Sequence, residues 1–159
     1  MKTEFKKAVL PDEISSLKAF DRRVFSSSDA FDTAEWENYE AYWMVVNGTK
    51  VGCCAFERHV DFQDDITEVG NNPPLQGSLY ISTTGILPEF QGKGFGQLLK
   101  AWEVSYARYH GFTRIITDVR KSNLKMIRLN RRFNFQVIRT TRRYYTDPVE
   151  STCVMELLL

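Results

Sequence analysis

A mixed α/β fold is predicted by three features of the sequence. The first is a hairpin signal in the first third of the chain, and the second is the alternation of strand-like and helix-like segments after it. The third is a length and composition typical of a globular domain. The chain has 159 residues, of which 43% are hydrophobic and 26% are charged. Such a chain can bury a substantial core without disulfides or metals. We therefore expect one domain over residues 1–159, with a mixed sheet flanked by helices.

The first half of the chain combines two helices with a hairpin. Pro11 and the acids after it open a helix, because proline and negative charge suit a first helical turn. Asn47-Gly48 is a strong signal for a two-residue hairpin turn. The predicted elements are a strand at 2–10, a helix from 11 to about 25, a helix at 33–40 capped by Asp32, strands at 42–46 and 51–62, and a polar loop at 63–77.

In the second half, strands and helices alternate. A strand ends before Pro88, and Gly111 is a plausible C-cap for the helix that follows it. The predicted elements are a strand at 78–87, a helix at 94–109, a strand at 113–119, a helix at 123–132, and strands at 135–145 and 152–158.

Charge is divided unevenly along the chain, although the formal net charge is only +1. Residues 91–143 carry 13 Lys/Arg against 2 Asp/Glu, and the remainder carries 8 against 18. One interpretation is a face for an anionic ligand and another for a cationic one. The alternative is that the two halves neutralise each other. A wholly basic nucleic-acid-binding surface is not expected.

Several classes of protein are disfavoured by composition. Three cysteines and two histidines do not form a disulfide framework or a zinc-type ligand set, so we expect no metal site. The chain has no apolar run long enough to span a membrane and no signal-peptide pattern near residue 1. We therefore expect a cytoplasmic protein without membrane or nucleic-acid partners, and a homodimer is compatible with the sequence.

The most informative motif follows the strand at 78–87 and opens the next helix. Gly92, Gly94 and Gly96 allow backbone N–H groups to point into a turn, and the helix behind them contributes further N–H groups. This arrangement suits a pyrophosphate. A Walker loop would need Gly-Lys-Ser/Thr, and a dinucleotide-binding fingerprint has different glycine spacing. The alternative is a simple helix cap.

Two blocks of sequence resemble the GCN5-related N-acetyltransferase (GNAT) superfamily. The run Gln-x-x-Gly-x-Gly at 91–96, preceded by Ile86 and Pro88, is similar to its acyl-CoA signature. Residues 123–135 resemble its second block, Asn-x-x-Ala-x-x-Leu-Tyr-x-x-x-Gly-Phe. The C-terminal residues 143–157 resemble the branch that acetylates the N-terminal alanine of a ribosomal protein. The resemblance covers about residues 78–159.

The resemblance implies a mostly antiparallel sheet of about six to seven strands with about four flanking helices. It also implies that the strands at 78–87 and 113–119 splay, and that acetyl-CoA lies in the gap. The backbone of Ile86 would bind the pantetheine arm, and Asn123 would contact it from the next helix. The remaining predicted acetyl-CoA-binding residues form the turn: Gln91, Gly92, Lys93, Gly94, Phe95 and Gly96.

At the position where the family usually has a tyrosine that acts as the acid, this sequence has Asn130. An amide is not a general acid at neutral pH, although it can hydrogen-bond a sulfur. Tyr144 or Tyr145 could supply the proton instead, and Tyr80 is a third choice. Glu57, together with His59, could pass on a proton from the acceptor amine.

The predicted function is N-acyl transfer, most simply of acetyl, to a primary amine of a small molecule or peptide. Residues 26–68 contain ten acids against Lys50 and Arg58, which favours a cationic acceptor. Two alternatives remain open: a non-catalytic acyl-CoA-binding module that has lost its acid, and an interaction domain whose basic segment binds RNA.

Overall fold

The computed structural model describes residues 1–26, 28–57 and 77–159. The chain divides into two compact units. The first comprises Met1–Glu57 and Ser82–Leu99, and the second comprises Arg58–Ile81 and Lys100–Leu159. The predicted loop at 63–77 and the end of the predicted strand at 51–62 lie largely outside the described residues.

The first unit contains two helices that precede a hairpin. Its elements are strand β1 at Thr3–Lys7, helix α1 at Ile14–Val24, helix α2 at Thr33–Glu37, and strands β2 at Glu40–Val46 and β3 at Thr49–Glu57. The predicted hairpin is confirmed, since Asn47 and Gly48 have φ values of 49° and 82° at the turn. The helix predicted at 33–40 ends earlier than expected, because Glu40 already pairs with Phe56 in the hairpin.

The second unit contains most of the alternating half of the chain. Strand β4 spans Ser78–Ile86, and helix α3 spans Phe95–Tyr109; both are divided between the two units. Strand β5 at Arg114–Arg120, helix α4 at Leu124–Arg132, strand β6 at Gln136–Thr146 and strand β7 at Val149–Leu158 lie in the second unit alone.

Within the described residues the sheet has seven strands, in the order β1-β2-β3-β4-β5-β7-β6. The pairings β1–β2, β2–β3, β5–β7 and β6–β7 are antiparallel, whereas β4 and β5 are parallel. The parallel register runs from Ser78–Arg114 to Ile81–Thr117 and ends there, although both strands continue. For the described residues, the expected mixed, mostly antiparallel sheet with about four helices is confirmed.

Each unit buries its own apolar residues. In the first unit, α1 contributes Leu17 and Phe20, which pack with Trp43 of β2 and Trp36 of α2. In the second unit, Ile116 and Val154 pack with Tyr80 on one face of the sheet. The opposite face of β7 contacts α4, because Asn130 of that helix reaches Met155. The sheet of the second unit therefore has one face covered by α4 and another that carries Tyr80.

Candidate functional site

The predicted phosphate-binding turn forms the junction between β4 and α3 in the first unit. Gly92 and Gly94 have φ values of 75° and 85°, a conformation that side chains other than glycine rarely adopt. A Cβ atom on either would meet open space, so the backbone conformation and not crowding requires glycine there. The first main-chain hydrogen bond of α3 runs from the Leu98 N–H to the Gly94 carbonyl. The preceding N–H groups belong to a first helical turn, which lacks intrahelical acceptors.

Side-chain contacts of Gln91 and Arg23 hold this turn in place. The Gln91 side-chain amide donates to the Ile86 carbonyl at 2.9 Å, which ties the start of the turn to the end of β4. Arg23 of α1 donates from its Nη2 to both carboxylate oxygens of Glu89, at 2.7 and 2.8 Å. Lys93 places its ammonium 5.6 Å from the centre of the Phe90 ring. The turn at residues 91–96 is therefore held by neighbouring side chains, and Lys93 gives it a positive charge. We call residues 91–96 the braced turn.

Asn123 lies in the second unit, at the start of α4. Its Oδ1 accepts a hydrogen bond from Met126 N–H at 3.2 Å, so the side chain caps the helix. This contact fixes the orientation of the side-chain amide. Contact with the pantetheine arm, which the resemblance implies, stays a prediction.

A carboxylate that we did not predict is the centre of the polar cluster in the second unit. Asp118 of β5 accepts hydrogen bonds from two phenols: Tyr80 donates to its Oδ1, and Tyr145 donates to its Oδ2 at 3.1 Å. The Tyr145 hydroxyl also lies 3.4 Å from the Thr152 hydroxyl. Four strands thus bring two phenols, a carboxylate and a hydroxyl to one face of the sheet.

Tyr145 is held by its ring as well as by its hydroxyl. The Arg120 guanidinium lies 4.2 Å from the ring centre, and the Tyr144 ring packs edge-on at 4.9 Å. Burial and the nearby charge of Asp118 raise the pKa of Tyr145 well above its ordinary value. The phenol is therefore neutral at physiological pH. It can donate its proton readily only if another group replaces that proton.

Asn130 and Tyr145 lie on opposite faces of the sheet. Asn130 is fully buried, and its amide nitrogen donates to the Met155 sulfur at 3.5 Å. Met155 follows Val154, which pairs with Asp118, and consecutive strand residues point to opposite faces. The Asn130 side chain is therefore engaged in the helix-covered face, away from the Asp118 cluster. Any contact of Asn130 with a sulfur of acetyl-CoA stays a prediction.

Glu57 ends β3 in the first unit, and its candidate partner His59 lies outside the described residues. Burial is the main cause that raises the pKa of Glu57, and the charge of Glu35 adds to it. Glu57 is thus suited to hold a proton at a higher pH than an ordinary glutamate. Six of the ten acids in the acidic segment are described: Asp29, Asp32, Glu35, Glu37, Glu40 and Glu57.

Asp118 could have been found from its position in the sequence. It is the one acid in the run Arg-Ile-Ile-Thr-Asp-Val-Arg, which otherwise reads as a strand buried on both sides. An acid in such a run needs hydrogen-bonding partners. The partners themselves could not be predicted, because Tyr80 and Tyr145 belong to distant strands.

Over residues 1–26, 28–57 and 77–159, no group of three or more metal-ligating side chains is found. None of the helices in these described segments is both long and apolar enough to cross a membrane.

The chain belongs to the Acetyltransferase (GNAT) family, whose family model matches residues 11–135. It is therefore an acetyltransferase of that family. No curated protein matches the sequence significantly.

Solved structures with the same fold cover nearly the whole chain. The ribosomal-protein-S18-alanine N-acetyltransferase from Escherichia coli superposes with a TM-score of 0.78 at 16% identity, over 99% of this chain and 94% of that one. The NatC complex bound to Gag peptide and CoA gives 0.79 at 16% identity, over 100% and 99%. A Bacillus subtilis acetyltransferase in complex with CoA gives 0.74 at 16% identity, over 99% of each chain. At this identity the similarity establishes the fold.

Proposed function

We propose that the protein transfers the acetyl group of acetyl-CoA directly to a primary amine of a peptide or small molecule. The observation that carries this proposal is the shared carboxylate of Asp118, because amine acetylation needs a group that accepts one proton and a group that returns one. The Tyr145 phenol is bound to that same carboxylate.

The acetyl-CoA site is assigned to the braced turn. The N–H groups from Gly92 to Gly96 bind the pyrophosphate, aided by the positive end of α3. The Lys93 ammonium lies beside the turn and adds a full positive charge. Ile86 and Asn123 are assigned to the pantetheine arm, following the family resemblance.

The reaction forms a bond between the amine nitrogen and the carbonyl carbon of the thioester, and it breaks the bond from that carbon to sulfur. Asp118 accepts the proton that the amine loses. Tyr145 donates its hydroxyl proton to the departing thiolate and regains one from Asp118. The raised pKa of Tyr145 makes this coupling necessary, because a free phenolate would be costly in its partly buried place.

The acceptor side is proposed to favour peptide amines and cations. One structural neighbour is named for the alanine of ribosomal protein S18, and another is bound to a Gag peptide. In the first unit of this chain, Glu35 and Glu57 lie close enough for one to raise the pKa of the other. A cationic amine would relieve that repulsion.

The decisive experiment is an acceptor panel read by release of free CoA thiol. The full chain is incubated with acetyl-CoA and one of three amines: a peptide that begins with alanine, a polyamine, or an uncharged primary amine. We expect thiol release that depends on the acceptor, with a product heavier by one acetyl group. Binding of CoA without turnover on any amine would favour the non-catalytic binding module, to which the Asn at position 130 points.

The turn is tested by Gly94→Val, with Gly111→Val as the matched control. Both glycines have positive φ, 85° and 77°, and both have open space where a Cβ would lie. The two substitutions therefore impose similar backbone strain. We expect Gly94→Val to weaken CoA binding at least about tenfold in calorimetry, whereas Gly111→Val retains it. Equal CoA affinity in the two folded variants would contradict the assignment.

A further inference from the structure

The register of β6 against β7 changes just before Tyr145. Thr141 pairs with Thr152, whereas Tyr145 pairs with Glu150, so three residues of β6 stand against Ser151 alone. If the register of Thr141 continued unchanged, Arg143 would lie opposite Glu150, and Tyr145 would fall in the turn. Two residues of antiparallel strand span about 7 Å. Without the bulge at residues 142–144, Tyr145 would lie about two residues away from the position at which its hydroxyl reaches Asp118.

The bulge has an energetic cost that something must offset. Arg143 has a φ of 52°, in the left-handed region that a side chain other than glycine, asparagine or aspartate seldom adopts. Bulges of this kind re-aim side chains next to functional sites. A regular ladder would avoid the strain at Arg143. The bulged register therefore needs contacts that the regular register would lose.

Arg120 makes such contacts with the turn that joins β6 to β7. Its guanidinium donates to the carbonyls of Pro148 and Asp147 at 2.9 and 3.2 Å, and to the Glu150 carboxylate at 3.2 Å. The same guanidinium lies over the Tyr145 ring. A planar fork with several donors can hold such a set of acceptors and still stack on a ring.

We propose that Arg120 is a positioning residue for Tyr145: by fixing the turn at residues 147–150, it holds the bulged register that places the Tyr145 hydroxyl on Asp118. The inference rests on the proposed roles of Tyr145 and Asp118 in proton transfer. It adds a residue that touches neither substrate in the proposed mechanism. It also assigns a purpose to the strained backbone of Arg143.

The first test is Arg120→Met, with Arg108→Met as the control because Arg108 is exposed on α3. We expect kcat to fall at least about tenfold in Arg120→Met, with the KM for acetyl-CoA little changed. In a double-mutant cycle, Arg120→Met should cost no further kcat once Tyr145 is replaced by Phe. Additive losses in that cycle would overturn the inference.

The second test separates register from general stability. When residues 142 and 143 are deleted, Tyr144 follows Thr141 directly. A ladder without a bulge then continues from the Thr141–Thr152 pair and places Tyr145 opposite Glu150. We therefore expect the deletion to restore kcat in the Arg120→Met background to within about threefold of the wild-type value. A loss of packing or charge at position 120 would not be repaired in this way. Failure of the deletion to restore kcat would overturn the inference.

The position of Tyr145 is also measured without activity, by the carbon NMR signal of its Cζ atom, which reports the hydrogen bond of the hydroxyl. The signal should move in Arg120→Met and return in the combined deletion variant. An unmoved signal in Arg120→Met would overturn the inference. If Tyr145→Phe keeps full kcat while the signal moves as expected, the positioning stands and the proton-transfer role of Tyr145 fails.

If Arg120→Met does not fold, substitutions at position 143 test the bulge through which Arg120 is proposed to act. Arg143→Val disfavours the left-handed backbone and should displace the Tyr145 signal, whereas Arg143→Gly accepts that backbone and should retain it. Equal signals in the two variants would overturn the inference.

Discussion

The hydroxyl of Tyr145 donates to the carboxylate of Asp118 at 3.1 Å, across two strands that are not neighbours in the sheet. Strand β7 lies between them, and its Thr152 hydroxyl approaches the same phenol at 3.4 Å. In the proposed mechanism the pair couples a proton acceptor, Asp118, to a proton donor, Tyr145. The coupling matters there because burial and the charge of Asp118 raise the pKa of Tyr145.

Tyr145→Phe is expected to lower kcat by about tenfold to a thousandfold, the range for loss of a general acid. Tyr144→Phe should have a smaller effect, because Tyr144 is 38% exposed. Tyr109→Phe is the control, since that ring is 86% exposed on α3. Turnover on the best acceptor is the measurement. Full turnover in Tyr145→Phe would point to water as the proton source.

Asp118→Asn removes the proton acceptor but keeps an oxygen to which one phenol can donate. We expect kcat to fall by at least about a hundredfold, while the affinity for CoA, measured by calorimetry, stays near the wild-type value. Asp12→Asn provides a matched exposed control. A variant that loses CoA affinity and kcat together would show that Asp118 acts through structure instead of proton transfer.

Much of the fold was predictable from local signals. Asn47-Gly48 predicted the hairpin because both residues tolerate positive φ, and the glycines at 92 and 94 predicted a turn for the same reason. The end of α2 was placed too late. Nothing in residues 38–40 signals that β2 begins at Glu40, and pairing with β3 overrides local helix preference there.

The candidate catalytic cluster was only half predictable. Tyr145 was a candidate because of its place late in a strand, but its partner Asp118 was missed. The contact depends on the register shifts in β6, one of which follows Val137 and the other Thr141. This bulge could not be predicted from the sequence, because the residue with left-handed backbone is Arg143 and not a glycine. Long-range register therefore had to come from the structure.

Asp21 is expected to make the protein less stable as pH rises from about 4 to 6. Its side chain is 1% exposed, and burial raises its pKa from 3.8 to about 6, although Phe31 N–H donates to it at 2.7 Å. The folded state therefore binds this proton more tightly than the unfolded state, so the contribution of Asp21 to stability is greatest below about pH 4 and falls until about pH 6. The contribution amounts to about 3 kcal/mol.

The test compares wild type with Asp21→Asn by urea unfolding across this pH range. The free energy of unfolding of the variant, minus that of wild type, should increase with pH through the window and level off above it. Asp12→Asn is the control, because Asp12 is exposed. A flat difference for Asp21→Asn would show that the carboxyl titrates as it does in the unfolded chain.

Lys100 and Glu103 form a buried ion pair inside α3, at 2.6 Å, with exposures of 1% and 0%. The Lys100 ammonium also lies 5.5 Å from the centre of the Phe135 ring. Removing one partner leaves the other charge in a place that water does not reach, which costs about 3–5 kcal/mol.

We expect Lys100→Met and Glu103→Leu each to lower the melting temperature strongly. The double variant should recover most of the loss, because buried ion pairs contribute little over apolar residues of similar volume. Arg108→Met, on the exposed side of the same helix, should leave the melting temperature nearly unchanged. A double variant as unstable as the worse single one would mean that each side chain contributes through contacts other than the pair.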